Sequence, residues 1–180
     1  MKCLLLALSV ALVCGSQDTN VPQITGDLDI QKVAGTWYSM VMAASDFTLL
    51  NTEGAPLRLH LKELRPTPEG NLEIIVHRWE GSSCVEKKIF AEKTEDPTQF
   101  KVKDPMGGAV QVVDTDYENF AFLCIEGAAS LEQSLACQYL ARTPKLSEEA
   151  MEKFDSAMKL LPSHIQLHFT PTRAKERCLV

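Results

Sequence analysis

The stretch VAGTWYSMVMAASD, Val33 to Asp46, places a glycine two residues before a tryptophan and then alternates apolar and small polar residues. The alternation predicts a β-strand. Gly35 has no side chain, so backbone or another ring can approach closely there, whereas the broad apolar ring of Trp37 needs to be covered. We therefore expect a strand that begins beneath a group supplied by another part of the chain.

Seven further segments alternate with a period of two, as strands with one apolar face do. Their connections are short and carry turn residues, as in PTPEGN, EGSS and DPMGG. Eight consecutive strands without intervening helices predict an all-β, antiparallel up-and-down barrel, although an eight-stranded sandwich gives a similar pattern. The seven segments are PLRLHLKEL (56–64), NLEIIVHRW (71–79), CVEKKIFAE (84–92), FKVKD (100–104), AVQVVDTDY (109–117), FAFLCIE (120–126) and SLACQYLAR (134–142).

The period changes in SEEAMEKFDSAMKLLP, residues 147–162. Ser147 is a suitable N-cap, Glu148 and Glu149 fall in the first turn, and Pro162 ends the pattern. We expect one C-terminal α-helix that packs on the outside of the barrel. Its apolar residues recur at helical spacing: Met151, Phe154, Met158 and Leu161.

The first residues, MKCLLLALSVALVCG, have the form of a secretory signal: one lysine precedes an apolar run too short to span a membrane. We predict a signal peptide at residues 1–18 and one domain at 19–180, located outside the cell. Removing residues 1–18 removes one lysine and one aspartate, so the formal net charge stays at -6. Such an acidic chain disfavours nucleic acid and anionic membranes as partners, and we expect no membrane insertion.

Cleavage would also remove Cys3 and Cys14, leaving four cysteines in an oxidising compartment. Two disulfides are expected, in one of three possible pairings. A cysteine metal site is disfavoured because there is no CxxC pair, and two histidines near the C-terminus, His164 and His168, are more often solvated than metal-bound. We expect no metal and no cofactor. The remaining cysteines are Cys84, Cys124, Cys137 and Cys178.

Three short motifs in order resemble the signature regions of the lipocalin family: Gly35-Thr36-Trp37, then Thr115-Asp116-Tyr117, then Arg142. The resemblance implies a lipocalin (calycin) barrel in which the tryptophan closes the floor and Arg142 lies across its ring. Such a stacked cation is worth about 0.5 to 2 kcal/mol, depending on burial. It also implies the disulfides Cys84–Cys178 and Cys124–Cys137.

A barrel of eight strands has room for one small ligand, and the inward phase of these strands is apolar. An acyl chain or retinoid suits such a lining, although any barrel core shows the same alternation and the interior could instead be filled by side chains. The resemblance places a lysine at the cavity mouth to meet a ligand carboxylate, here Lys87, with Arg78 as a second cation; both could equally be solvated rim charges. The predicted lining is Leu57, Leu59, Leu61, Leu72, Ile74, Val76, Ile89, Val102, Val110, Val112, Leu123 and Ile125.

The loop KDPMGGAV, Lys103 to Val110, is expected to hang over the open end. The resemblance implies a lid whose buried glutamic acid ionises near neutral pH, but the aligned position here is Gly107. Asp104 could substitute, although a solvated turn carboxylate is the commoner role. We therefore predict a cavity without this pH switch.

The resemblance also implies dimers that pair a short ninth strand, HIQLH from His164 to His168, and join an early loop acid to an arginine. Arg58 is present, but the aligned acid position holds Asn51. We predict a weak homodimer or a monomer.

For function, the resemblance implies a carrier of fatty acids or retinol in milk or a similar secretory fluid. An enzyme is disfavoured because the sequence has no GxSxG elbow, HExxH pair or phosphate loop. The alternative is an interaction protein, including an immunomodulatory one, that uses the barrel as a scaffold. The chain has no Asn-x-Ser/Thr sequon, which argues against relatives that act through N-glycans.

Overall fold

The computed structural model describes residues 27–103, 107–127, 134–161 and 166–179. The predicted signal peptide, with Cys3 and Cys14, lies outside these residues, as do Asp104, Pro162 and His164.

Within the described residues the chain forms a ten-stranded antiparallel sheet and one α-helix, α1, at Glu148–Met158. Two short 3-10 helices lie at Ile30–Val33 and Phe47–Leu49. The strands are β1 Gly35–Thr36, β2 Tyr38–Ala44, β3 His60–Pro66, β4 Leu72–Glu80, β5 Ser83–Lys93, β6 Gln99–Val102, β7 Ala109–Thr115, β8 Phe120–Glu126, β9 Leu135–Ala141 and β10 His168–Pro171.

The first strand of the predicted barrel is split in two at Trp37. Its first half, β1, pairs with β3, and its second half, β2, pairs with β9, so one segment contacts both ends of the run from β3 to β9. The hydrogen-bonded ladder is not closed, but the order β1-β3-β4-β5-β6-β7-β8-β9-β2-β10 is that of an up-and-down barrel. The predicted fold class is confirmed, with the helix on the outside.

Arg142 covers the tryptophan at the floor. Trp37 is fully buried, and the Arg142 guanidinium carbon lies 3.8 Å from the centroid of its ring. The guanidinium donates to the carbonyls of Ala34 at 2.9 Å, Thr36 at 3.0 Å and Tyr117 at 3.0 Å. A fourth bond, to the Lys32 carbonyl, has a length of 3.2 Å, so the guanidinium joins four separate carbonyls beneath the barrel.

Gly35 makes this approach possible. Its φ of +105° is one that side-chain-bearing residues rarely adopt, and a Cβ there would lie 3.3 Å from the Arg142 guanidinium. The Trp37 indole N–H donates to the Val33 carbonyl at 2.8 Å, so the ring's polar edge is also satisfied. The glycine before the tryptophan is thus explained by backbone geometry and by the arginine above it.

The segment PLRLHLKEL begins as a turn, not as a strand, and the prediction was wrong there. Regular pairing starts only at His60. Leu57 bonds through its N–H to the Leu49 carbonyl at 3.1 Å and packs with Leu49 and Leu50 in a separate cluster. The backbone turns there, with the Arg58 N–H bonded to the Ala55 carbonyl at 3.1 Å, and the Arg58 side chain donates to the Leu50 carbonyl at 2.8 Å.

The last short strand was also misplaced. Residues 164 and 165 of the predicted His164–His168 lie outside the described residues, Gln166 and Leu167 are not in a strand, and the strand β10 runs from His168 to Pro171. Its register against β2 runs from His168 opposite Ala44 to Pro171 opposite Val41, and the N–H of Thr172 continues it by bonding the Met40 carbonyl at 3.1 Å. Pairing with β2 therefore decides the position, and Leu167 before it packs toward the helix instead.

Helix α1 packs on the outer face of β8 and β9. Ser147 caps it by accepting a bond from the Ala150 N–H at 3.3 Å, as its sequence predicts. Phe154 is fully buried, with its ring 5.1 Å from Phe122 and 6.2 Å from Tyr139. This outer cluster is separate from the one inside the barrel.

Residues 174–178, which we call the C-terminal anchor, are fixed by a disulfide between Cys178 and Cys84. The Glu176 carboxylate is buried and accepts bonds from Arg58 at 2.5 and 3.1 Å. His60 Nε2 lies 3.7 Å from the same carboxylate. The second disulfide, Cys124–Cys137, joins directly paired residues of β8 and β9.

His60 makes stability depend on pH. Burial, with the charges of Arg58, Arg177 and His77, lowers its pKa from 6.5 to about 3. Between these two pH values His60 is protonated in the unfolded chain and neutral in the folded chain. The contribution of neutral His60 to stability is therefore complete above pH 6.5 and is lost as pH falls toward 3.

We predict that His60→Gln flattens this dependence. One pKa unit is about 1.4 kcal/mol, so going from pH 7 to 4 should cost the wild type about 3 kcal/mol more in unfolding free energy than the variant. Urea unfolding at several pH values measures this. His77→Gln, which removes the smallest of these influences on His60, is the control and should keep most of the wild-type slope. Parallel profiles for wild type and His60→Gln would contradict the prediction.

Candidate functional site

A narrow apolar pocket lies inside the barrel, above the floor. About 520 Å³ of space lies between its walls when the gaps between atoms and the part that opens to solvent are counted, and about 30 Å³ of this is open to the centre of a water-sized molecule. Its walls come from β3 to β9 and from the residues that flank them. The lining residues are Leu59, Leu61, Ile74, Val76, Ile89, Val102, Gly107, Val110, Leu123, Ile125 and Gln138.

Nine of the twelve apolar residues predicted to line a cavity lie on this pocket. They come together because alternate residues of each strand face inward. Leu72 and Val112 are buried in the same cluster as Trp37 but do not line the pocket. Leu57 belongs to the separate cluster near Leu50, so its assignment to the lining was wrong. The nine are Leu59, Leu61, Ile74, Val76, Ile89, Val102, Val110, Leu123 and Ile125.

Sequence analysis missed two lining residues, Gly107 and Gln138. The period-two pattern of SLACQYLAR could have found Gln138, because it places this residue on the same face as Leu140. Its polar side chain made it an unexpected member of an apolar wall. Gly107 has no side chain and a positive φ of 62°, so no alternation marks it.

The amide of Gln138 is held from two sides. Its Oε1 accepts a bond from the Ser39 hydroxyl at 2.7 Å, and its Nε2 donates to the Leu59 carbonyl at 2.8 Å. Ser39 in turn accepts from the Leu61 N–H at 2.8 Å. These bonds connect β9, β2 and the start of β3, where β2 and β3 do not form a ladder of their own.

A charged group lies at the end of the β4–β5 hairpin farther from Trp37. Lys87 is paired across the hairpin with Val76, a lining residue, so both side chains start from the same face. Lys87 Nζ lies 2.6 Å from Glu80 Oε1, and Arg78 donates to the Gly54 carbonyl at 2.5 Å. The hydrogen bond from Lys87 lowers the pKa of Glu80 below its usual value.

These two predicted cations therefore flank the pocket and do not line it. The side chain of Lys87 is 43% exposed and that of Arg78 is 25% exposed. Their nearest carboxylate is Glu80, a residue that the sequence prediction did not consider.

The loop before β7 reaches the pocket at Gly107. The next residue, Gly108, has a φ of +84°, and a Cβ there would overlap the Glu126 carbonyl. The Gly108 carbonyl also accepts from the Val102 N–H at 3.0 Å. This tight approach requires glycine, and the lining position beside it has no carboxyl group.

In the described parts of the chain, no group of three or more His, Cys, Asp or Glu side chains is arranged to hold a metal ion. No helix there is both long and apolar enough to cross a membrane.

Comparison with known proteins agrees with this architecture. The family model for the lipocalin / cytosolic fatty-acid binding protein family matches residues 34–170. Beta-lactoglobulin-2 of Equus caballus is 50% identical over 179 residues, covering 99% of both chains. Beta-lactoglobulin-2 of Canis lupus familiaris is 52% identical over 160 residues, which is 89% of this chain and 99% of that protein.

Glycodelin of Homo sapiens is 47% identical over 178 residues, again 99% of both chains. Among solved structures, the bovine lipocalin allergen Bos d 2 superposes with a TM-score of 0.68 at 18% identity, over 80% of this chain and 94% of its own. That likeness shows the fold. Family model, relatives and barrel agree: the chain belongs to the lipocalins, a family of carriers of small hydrophobic molecules and not of enzymes.

Proposed function

We propose that this chain is a secreted carrier of a long-chain fatty acid or a retinoid, held in the barrel with its polar end toward Lys87. The observation that carries this proposal is the apolar pocket that continues, along β4 and β5, into a cluster of charged side chains. Secretion, into milk or a similar fluid, is supported by the signal-like residues 1–18 and by two disulfides.

Burial of the ligand's apolar chain provides the main driving force. Each methylene group removed from water contributes about 0.8 kcal/mol, so a long acyl chain needs few polar contacts to bind. The charged end of the pocket then orients the ligand, because a carboxylate is costly to bury without a partner.

At that end a ligand carboxylate competes with Glu80. Lys87 already bonds this side chain, and Arg78 Nε lies 3.9 Å from it. A fatty acid must therefore share or replace the Glu80 contact to reach Lys87. Substitutions at Lys87 or Glu80 should therefore change the affinity for a fatty acid more than the affinity for the matching alcohol.

We predict micromolar or tighter binding of palmitic acid, weakened more by Lys87→Ala than binding of 1-hexadecanol is. Exposed ion pairs are worth up to about 1 kcal/mol, so the acid should lose about two- to fivefold and the alcohol less than about twofold. Glu80→Gln should strengthen acid binding, because the competing carboxylate is removed. Fluorescence titration of each variant measures these changes.

Lys88→Ala is the matched control, since Lys88 pairs with Glu73 at 3.3 Å and is not part of the cluster at the hairpin end. Equal losses for acid and alcohol in Lys87→Ala would show that Lys87 is not the carboxylate partner. If palmitic acid, hexadecanol and retinol all failed to bind, and solvent extracts of the secreted protein held no lipid by mass spectrometry, the scaffold function would be the better one.

A second prediction is that ligand affinity changes less than about twofold between pH 6 and 8, since Gly107 brings no carboxyl that burial could hold protonated. The matched variant Gly107→Glu should introduce a pH dependence, with binding stronger above the pKa of the new carboxyl. Binding measured with proton release tests both. One carboxyl per wild-type chain ionising near neutrality, with binding switched on over the same range, would instead identify Asp104 as a latch.

A third prediction concerns assembly: we expect a monomer or a weak dimer. The resemblance assigns Arg58 to a dimer ion pair, but Arg58 is buried against Glu176 of its own chain. The position of its expected acidic partner holds Asn51. Strand β10 pairs with β2 along one edge only, so its other edge can form a weak contact with a second copy of the chain. Analytical ultracentrifugation at micromolar concentration measures this, and a sample containing only stable dimer would contradict it.

A further inference from the structure

We propose that Gln138 is a specificity-determining residue inside the pocket, one that selects ligands carrying an oxygen, as a hydroxyl or keto group, partway along the apolar chain. The inference rests on the proposed carrier function and adds a ligand class to it. It is carried by the position and bonding of one amide.

Of the lining residues that the structure describes, Gln138 alone has a polar side chain. It is only 7% exposed and lies on the middle of β9, directly opposite Leu123 of β8, which also lines the pocket. Leu140, one inward step closer to the floor, is already part of the cluster around Trp37. The amide is therefore beside the middle of a bound chain and away from the charged cluster at Lys87.

The two bonds already made by this amide fix its orientation. With Oε1 on the Ser39 hydroxyl and Nε2 on the Leu59 carbonyl, it cannot rotate without breaking one of them. Which end is oxygen and which nitrogen is decided by these partners, because the Leu59 carbonyl can only accept. A group fixed in this way acts as a preformed recognition element.

Half of the amide's bonding capacity is left after these contacts. A glutamine side chain has two N–H donors and two acceptor positions on its oxygen, and among the described residues Gln138 uses one of each. A purely structural role, joining β9 to β2 and Leu59, needs no more than that. The second donor and second acceptor are what this residue offers to a molecule in the pocket.

A saturated chain packed against Gln138 shields these groups from water and offers them no hydrogen bond in exchange. A hydroxyl at the right carbon accepts from the N–H and donates to the oxygen, while a keto group accepts only. One net hydrogen bond corresponds to roughly three- to tenfold in affinity. Pockets that offer a buried hydrogen-bonding group discriminate against ligands that lack its partner.

The test is a positional scan with stearic acid and its monohydroxy derivatives, substituted at carbons spaced along the chain. Calorimetry on the wild-type protein should show one position, or two adjacent ones, binding about three- to tenfold more tightly than stearic acid. Hydroxyls elsewhere should weaken binding, because they meet only apolar walls. The keto acid substituted at the preferred carbon should bind between the two.

Gln138→Leu should remove the peak, so that the hydroxyl acid at that position binds no better than stearic acid. The matched control is Leu123→Met, which alters the shape of the wall beside Gln138 and should change both acids alike, with the peak kept. In NMR spectra of the wild type, a side-chain N–H of Gln138 should shift with the preferred hydroxyl acid and not with stearic acid. This measurement decides the matter even if Gln138→Leu fails to fold.

Stearic acid binding with a flat positional profile, or a peak that survives Gln138→Leu, would overturn the role of Gln138 and leave the carrier function standing. Failure of stearic acid and all its derivatives to bind would overturn the role of Gln138 and fatty acids as the cargo, and retinol binding would then decide the carrier function.

Discussion

The contact between Arg142 and Trp37 is the constraint on which the rest of this barrel depends. The tryptophan divides the first strand into β1 and β2, and the two halves pair with opposite ends of the sheet. A buried ring at that point closes the floor, but only if the chain can pass beneath it and a cation can cover it. Gly35 lets the chain pass and Arg142 provides the cation, with four backbone carbonyls fixing the guanidinium.

Polar side chains complete the closure where the backbone ladder stops. Ser39 on β2 accepts from the Leu61 N–H on β3, and Gln138 on β9 reaches the carbonyl of Leu59. A buried N–H or carbonyl without a partner is costly, so the gap between β2 and β3 demands such a network. The same demand brings an amide into an otherwise apolar wall. A structural requirement of the barrel thus gives the ligand pocket its polar group.

The sequence was informative wherever a short period decided the structure. Alternation predicted nine of the lining residues and helical spacing predicted the external helix, because the inward face of a strand or a helix follows from spacing alone. It failed at Leu57, where the alternation continues in the sequence but the backbone turns, with the Arg58 N–H bonded to the Ala55 carbonyl. The pairing of Lys87 with Glu80 was missed for a related reason, since it depends on the register of β4 against β5.

Acid sensitivity and ligand selection are separated in this chain. The strongly lowered pKa among the described residues belongs to His60, whose neighbour Leu61 lines the pocket while His60 itself turns to the C-terminal anchor. At the pocket, Gly107 presents backbone where a titrating lid would need a carboxyl. Protonation of His60, on the outer face of β3, therefore changes the stability of the fold. Under the proposed carrier function, discrimination among ligands would depend on the walls of the pocket, which are apolar except at one fixed amide, and on the charged residues at its end.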